Sequence, residues 1–332
     1  MRILFAGTPA LAVPPLRAAA NVCEVAAVLT SRDMPAGRGR AIAESDVKRE
    51  AVGLGLPVLQ PARLDAVFVE EVRALAPQLL VVVAYGRIFR QSFLDLFPLG
   101  GINLHPSLLP RHRGPSPLSA AILAGDAETG VTIQRLAKRF DTGDILGQAR
   151  IALDGTETTG SLSERLSSVG SDLMVSVLQD LAAGKPLAET VQDDALATYC
   201  TPIRKDDGII RWSDPAASVE RAVRAYDPWP RARTTLNGQT LLVLKSHVYP
   251  DTLPLPESGE GDAASAEGAN AVLPGTVLAV SRGHGLLVRC GRGVLAVERL
   301  QLPFKKPLDW RSFLNGHPET IGAPLGARAE GI

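Results

Sequence analysis

Gln78-Leu79-Leu80-Val81-Val82-Val83-Ala84-Tyr85 is the stretch that decides the fold. Its apolar run is unbroken by polar alternation, so it predicts a strand buried on both faces, as in a parallel sheet. A second short strand is predicted at residues 101–104. Asn103 and His105 lie two positions apart there, and side chains repeat every two residues along a strand, so the pair shares one side. That side is at the strand's carboxyl end, where open α/β sheets hold their ligands. Further upstream, residues 2–6 predict a buried strand, Gly7-Thr8-Pro9 a tight turn, residues 10–20 a helix and 22–29 a strand, which together make a βαβ opening. The turn lacks a GxGxxG pattern, so dinucleotide binding is not expected. Gly7 still lets the backbone turn sharply beneath a ligand. The first fold class is therefore α/β, a doubly wound, Rossmann-like parallel sheet.

Residues 45–54 and 65–75 predict amphipathic helices with a short strand at 58–59 between them. A helix with prolines in its first turn is expected over 115–123. Strands are expected at 130–136 and 145–151. Residues 162–181 carry apolar positions at helical spacing, which reads as core periodicity. The sheet domain then spans residues 1–187. Residues 188–204, with Asp193-Asp194, Pro202 and little periodicity, read as a linker. A second domain covers 205–325. A helix at 217–225 and the stiff turn Asp227-Pro228-Trp229-Pro230 are followed by short strands at 234–236, 240–245, 272–280, 285–290 and 293–301. Gly-rich turns separate them, so a small OB-like β-barrel is predicted. Residues 250–271, rich in Pro, Gly, Ser, Ala and acids, predict a disordered loop.

The chain has 332 residues, enough for two domains and a substantial core. No run of eighteen apolar residues exists, so no membrane span is expected, and the opening residues lack the pattern of a signal peptide. Cys23, Cys200 and Cys290 are odd in number, far apart and in no ligand spacing. A reduced, cytoplasmic setting fits them, and Cys23 and Cys290 read as inert core thiols. Formal net charge is zero, which argues against global affinity for nucleic acid. Residues 205–332 without the acidic 251–268 stretch hold 15 basic and 9 acidic residues, a net +6. A basic face on the second domain follows, with Arg221, Arg224, Arg231, Arg233, Lys245, Lys305 and Lys306 as its candidates for phosphate contact.

The chemistry sits in Asn103-Leu104-His105-Pro106-Ser107-Leu108-Leu109-Pro110-Arg111-His112-Arg113-Gly114, answered by Asp141-Thr142-Gly143-Asp144. An amide and an imidazole side by side, with a carboxylate from Asp141, suit addition to a carbonyl. The amide and imidazolium stabilise an oxyanion and the carboxylate tunes the histidine. Taken alone, the same residues also read as a structural histidine and turn formers. Residues 30–40 read as a loop on Gly, Pro and charge. Its Arg32, Arg38 and Arg40 are either solvated surface or contacts to nucleic-acid phosphates and base edges.

The ordered strings Asn103 to Gly114, Gly125-Asp126-x-Glu128-Thr129-Gly130-Val131-Thr132-Ile133 and Asp141-Thr142-Gly143-Asp144-Ile145-Leu146 resemble those of the folate-dependent formyltransferases. Phe5-Ala6-Gly7-Thr8-Pro9, Pro35-Ala36-Gly37-Arg38-Gly39, Trp212-Ser213 and Pro228-Trp229-Pro230 extend the resemblance, within that superfamily, to the methionyl-tRNA formyltransferase family. The resemblance implies a formyl transfer from 10-formyltetrahydrofolate to the α-amine of initiator methionyl-tRNA, by a monomer that needs no metal and no membrane. It implies Asn103, His105 and Asp141 as the catalytic trio, with His105 protonated. Ser107, Leu108, Leu109 and Pro110 are the implied folate loop, and Tyr85 and Gly86 walls of the pterin slot. Arg38, with Arg40 beside it, is the implied contact to the acceptor stem. One departure stands: Pro115-Ser116-Pro117 replaces the family's two alanines and proline, which bears on loop shape. Rival readings are a sugar-amine formyltransferase and a formyl-folate hydrolase, which share the trio, and an idle folate- or tRNA-binding protein, which has no need of all three residues.

Overall fold

The computed structural model describes residues 1–36, 41–255 and 272–326. They form two compact units. The first is built on strands β1 (Arg2–Gly7), β2 (Glu24–Leu29), β3 (Met34–Ala36), β4 (Ala41–Ala43), β5 (Val58–Leu59), β6 (Leu79–Val83), β7 (Gly101–His105), β8 (Glu128–Arg135) and β9 (Ile145–Ala152). Its helices are α1 (Val13–Val22), α2 (Asp46–Gly53), α3 (Ala66–Ala74), α4 (Gln91–Leu94), α5 (Pro117–Ala124) and α6 (Thr159–Ala182). Ser45 and Asp65 start α2 and α3 by accepting the backbone N–H of Lys48 and Phe68, the usual task of an N-cap oxygen.

One seven-stranded sheet runs β5-β2-β1-β6-β7-β8-β9. The first five are mutually parallel, whereas β8 and β9 are antiparallel. The doubly wound parallel sheet therefore stands, with an antiparallel pair added at one edge. Burial follows the pattern of β1 and β6, whose residues 3–6 and 79–83 are buried on both faces. Leu4, Ala6, Leu80 and Val82 pack with Phe68, Val72, Phe93 and Phe97 on one side, where Phe89 and Phe93 stack at 5.1 Å and Phe93 and Phe97 meet edge-on at 5.5 Å. Leu104 of β7 lies against Gly170 of α6, where an added Cβ would come within 2.7 Å of Leu104. Strand order reverses between β1 and β6, which places the ligand crevice of such a sheet at the carboxyl ends there and beside them. The ends of β6 and β7 are residues 83–86 and 105–114.

Two local readings need correction. The 30–40 stretch is not all loop: β3 and β4 pair antiparallel, Met34 opposite Ala43. Arg38 and Arg40 lie outside the described residues. Residues 161–202 belong to the first compact unit, so most of the 188–204 segment packs with the sheet.

The second unit is an antiparallel sheet of β10 (Arg233–Leu236), β11 (Gln239–Val248), β12 (Val277–Ser281), β13 (Gly285–Arg289), β14 (Val294–Gln301) and β15 (Leu308–Asp309), in the order β10-β11-β14-β13-β12 with β15 on β14. It is curled, a half-barrel. Helices α7 (Ala216–Ala225) and α8 (Trp310–Gly316) belong to it. Trp212, Val219, Val223, Leu241, Leu286, Leu295 and Phe313 form its core. The Trp212 indole N–H donates to Thr234 Oγ1 at 3.0 Å, which satisfies a polar atom that burial would otherwise leave costly. The expected acidic loop falls mostly on residues outside the description.

Candidate active site

His105 ends β7 and is 4 % exposed, and Asn103, two residues earlier, is half-buried. Alternation puts both on one side of the strand, as the sequence spacing predicts. Among the described residues the Asn103 side chain makes no hydrogen bond, which leaves its amide N–H groups for a ligand. Asp141 arrives from the turn after β8, with φ 54°. That left-handed conformation costs a non-glycine residue on the order of 1–3 kcal/mol, and the surroundings hold it there. Its Oδ2 accepts the Gly114 backbone N–H at 2.9 Å, its Oδ1 accepts the Gln134 amide at 2.9 Å, and Oδ1 stands 3.5 Å from His105 Nδ1. His105 Nε2 lies 2.9 Å from the carbonyl oxygen of His112. The carbonyl can only accept, so Nε2 carries a proton and donates to it. Nδ1 is then the nitrogen that gains or loses a proton, beside the carboxylate. The three residues named from the sequence are thus brought together.

Burial is the largest influence on His105 and pushes its ring below the ordinary histidine value, outweighing the opposite pull of Asp141 and the His112 carbonyl. Burial thus favours the neutral ring in the free protein. The sign for stability follows from proton linkage. A histidine lowered in the fold binds fewer protons than the unfolded chain, so its contribution is present above the unfolded value, about 6.5, and is lost as pH falls below it. We expect the thermal stability of wild type to fall as pH drops below about 6.5, and that slope to flatten in His105→Gln. Equal slopes would contradict the neutral assignment.

The 107–110 loop is held from β8 and β9. Thr132 Oγ1 donates to Ser107 O at 2.7 Å and accepts the Leu109 N–H at 3.1 Å, and Gln148 Nε2 donates to Leu109 O at 2.8 Å. Ser107 is fully buried and its hydroxyl donates to Arg111 O at 2.6 Å, so its role is to fix the loop. Leu108 and Leu109 are buried, and Pro110 follows a cis peptide bond. Beyond β6, Ala84 and Gly86 both have positive φ and turn the chain, while the Tyr85 ring is buried and stacks on Phe89 at 5.5 Å. Apolar side chains and turned backbone at two adjacent strand ends make a surface suited to a flat heterocycle with polar edges.

Several residues of the site were not anticipated: Gln134, Gln148, Thr132, Gln192 and the buried Arg113. Each is an ordinary polar residue whose role depends on strand pairing that only the fold supplies. The thiols are protonated ones: burial raises Cys23 and Cys200 and pushes Cys290 up to about 12. In the second unit, five of the seven basic candidates have internal partners. Arg221 donates to Leu123 O, Arg224 pairs with Glu220, Arg231 donates to Gln301, Arg233 pairs with Asp206 and Lys245 with Glu298. Lys305 and Lys306 are exposed on the turn before β15.

On this parallel-rich sheet an amide and an imidazole from β7 meet a carboxylate from the turn after β8. Residues 2–178 match the formyl transferase family model and residues 202–318 that of the formyl transferase C-terminal domain. The methionyl-tRNA formyltransferase of Treponema denticola is 42% identical over 97% of this chain and 98% of its own length. That of Pseudomonas fluorescens is 43% identical over 99% of each chain. The chain belongs to the methionyl-tRNA formyltransferase family. Among solved structures, the N-formyltransferase from Helicobacter canadensis, in complex with folinic acid and dTDP-3-aminofucose, superposes with a TM-score of 0.62 over 89% of this chain and 98% of that one. At 17% identity the likeness is one of fold. No described helix is long and apolar enough to cross a membrane.

Proposed function

We propose that this enzyme moves the formyl group of 10-formyltetrahydrofolate to the α-amine of methionine carried on initiator tRNA. The observation that carries the reading is the convergence of Asn103, His105 and Asp141 at one strand end, in a chain related along its whole length to methionyl-tRNA formyltransferases. The folate lies against Tyr85, Gly86 and the loop of Ser107, Leu108, Leu109 and Pro110. The amine nitrogen attacks the formyl carbon, the carbonyl π pair moves to oxygen, and Asn103 donates to that oxyanion, a contact worth about 3 kcal/mol. His105 Nδ1 takes the proton that the amine loses, and Asp141 stabilises the imidazolium so formed. When the oxyanion collapses, the bond from the formyl carbon to the folate N10 breaks and N10 takes a proton. His105 starts neutral and ends neutral, as a group that both accepts and returns a proton must.

Arg38 and Arg40 are the residues we assign to the tRNA, acting by neutralising phosphate near the acceptor end. The enzyme acts as a monomer in the cytoplasm, where charged tRNA and reduced folate meet. The test measures kcat/KM for initiator methionyl-tRNA in wild type and Arg38→Ala, together with folate deformylation when tRNA is left out. We expect a loss of roughly tenfold or more from the arginine change, since one charged contact contributes about 1.5–3 kcal/mol, and little deformylation without acceptor. Full activity of Arg38→Ala would remove the residue from the interface. Rapid deformylation without tRNA would make water the acceptor.

A further inference from the structure

Arg113 is 1 % exposed, yet it lies within a string of charged residues and takes no part in the chemistry proposed above. Its Nε and Nη2 donate to Gln192 Oε1 at 3.0 and 2.8 Å, and Nη2 also meets Asp194 at 2.8 Å. Gln192 is itself 8 % exposed. Its Nε2 donates to Gln134 Oε1 at 3.2 Å, to the Asp141 carbonyl at 3.0 Å and to the Gly143 carbonyl at 2.7 Å. Gln134 Nε2 then donates to Asp141 Oδ1 at 2.9 Å.

A guanidinium has donors and no acceptor, so it dictates which end of the Gln192 amide faces it. Oε1 must turn to Arg113, and Nε2 must turn to Gln134 and to the 141–143 backbone. Gln134 in turn must present its oxygen to Gln192 and its N–H to Asp141. The direction of every donor is fixed from one end of the chain. The same Gln192 amide ties down the backbone carbonyl of Asp141, which stands at φ 54°. We infer that Gln192 is a positioning residue for the Asp141 carboxylate, which it sets through a one-way line of donors from Arg113 to Gln192 to Gln134 to Asp141. The inference rests on the reading of Asp141 as a member of the reacting trio.

Gln192→Glu tests it in the full-length chain. Glutamate has nearly the same shape and keeps an oxygen for Arg113. It replaces the donating nitrogen by a second oxygen, which then faces three acceptors. We expect kcat for formyl transfer to fall about 10–100-fold, with KM for both substrates within about twofold, because Asp141 acts on the reaction more than on binding. Circular dichroism should stay near wild type, with a lowered thermal midpoint because the new oxygen faces acceptors. In an Asp141→Asn background the same change should cost nothing further, since its effect passes through the group already removed. A structural role alone would add its loss in both backgrounds. Should Gln192→Glu not fold, Gln192→Asn keeps the amide but falls one methylene short, and the same drop in kcat is expected. An active wild type beside a Gln192 variant at full kcat, or an additive loss in the Asp141→Asn background, overturns this inference alone. A wild type that transfers no formyl group overturns the functional reading and this inference together.

Discussion

Asp141→Asn should lower kcat for formyl transfer by roughly 10²–10⁴-fold, the range over which a positioned proton-transfer group contributes. Both carboxylate oxygens accept from fixed donors, Oδ1 from Gln134 and Oδ2 from the Gly114 backbone. An asparagine has one acceptor oxygen, so its NH₂ must confront one of those donors. The loss then has two parts: the charge that stabilises the His105 imidazolium, and the geometry of the 3.5 Å approach to Nδ1. His105→Ala removes the proton acceptor itself and should fall in the same range. In both variants we expect circular dichroism and binding of the folate donor to persist, because Leu108, Leu109 and Tyr85 are untouched. Turnover near wild type in either variant, measured with saturating donor and charged tRNA, would falsify the assignment of the trio.

Gly143→Ala should be as damaging by a different route. Its φ is ordinary, and the obstacle is space. A Cβ there would lie 1.8 Å from the carbonyl oxygen of Arg135 and 2.7 Å from its carbonyl carbon. No flexible side chain can give way, since both obstructing atoms are backbone of β8. The 141–144 turn must lift from the strand by more than about 1 Å to restore a normal contact, and a displacement of that size at a reacting group costs on the order of 10² in rate. The move also pulls the Gly143 carbonyl from Gln192, 2.7 Å away. We expect kcat to fall about 100-fold or more and stability to drop by about 1–3 kcal/mol, as overpacking usually costs. Gly53→Ala is the control, since a Cβ there meets nothing within 4 Å; it should leave kcat unchanged and stability equal or slightly raised, as for a helical glycine. A Gly143→Ala enzyme with wild-type kcat would mean that the turn does not set Asp141.

What was legible in the sequence follows a physical line. β6 could be read because burial on both faces demands a continuous apolar run, and Asn103 and His105 of β7 could be placed together because side chains repeat every two residues along a strand. The direction of β8 and β9 could not be read. A strand that pairs antiparallel at the edge of an otherwise parallel sheet carries the same residue types, and Glu128–Arg135 is buried at the six positions between its ends. The roles of Thr132 and Gln134 are hidden for the same reason: they lie in facing Ser107 and Asp141 across that pairing. Gln192 stood in a segment without periodicity, which reads as connection. Arg113 was the least legible of all. A cation in a polar string reads as solvated surface, and its burial only makes sense once Gln192, Tyr199 and Asp194 are seen around it. In the second unit, Gly-separated strands were readable, whereas α8 was not, because seven residues are too few for a helical pattern to declare itself.

One measurement tests the formyl transfer most directly: initiator tRNA charged with labelled methionine, incubated with the full-length chain and 10-formyltetrahydrofolate, and followed for N-formylmethionine. We expect saturable formation of N-formylmethionyl-tRNA, matched mole for mole by tetrahydrofolate and at least about 100-fold slower when His105 is replaced by alanine. Folate turned over with no label reaching the formylated amino acid would contradict it, and would move the acceptor from the methionyl amine to another nucleophile.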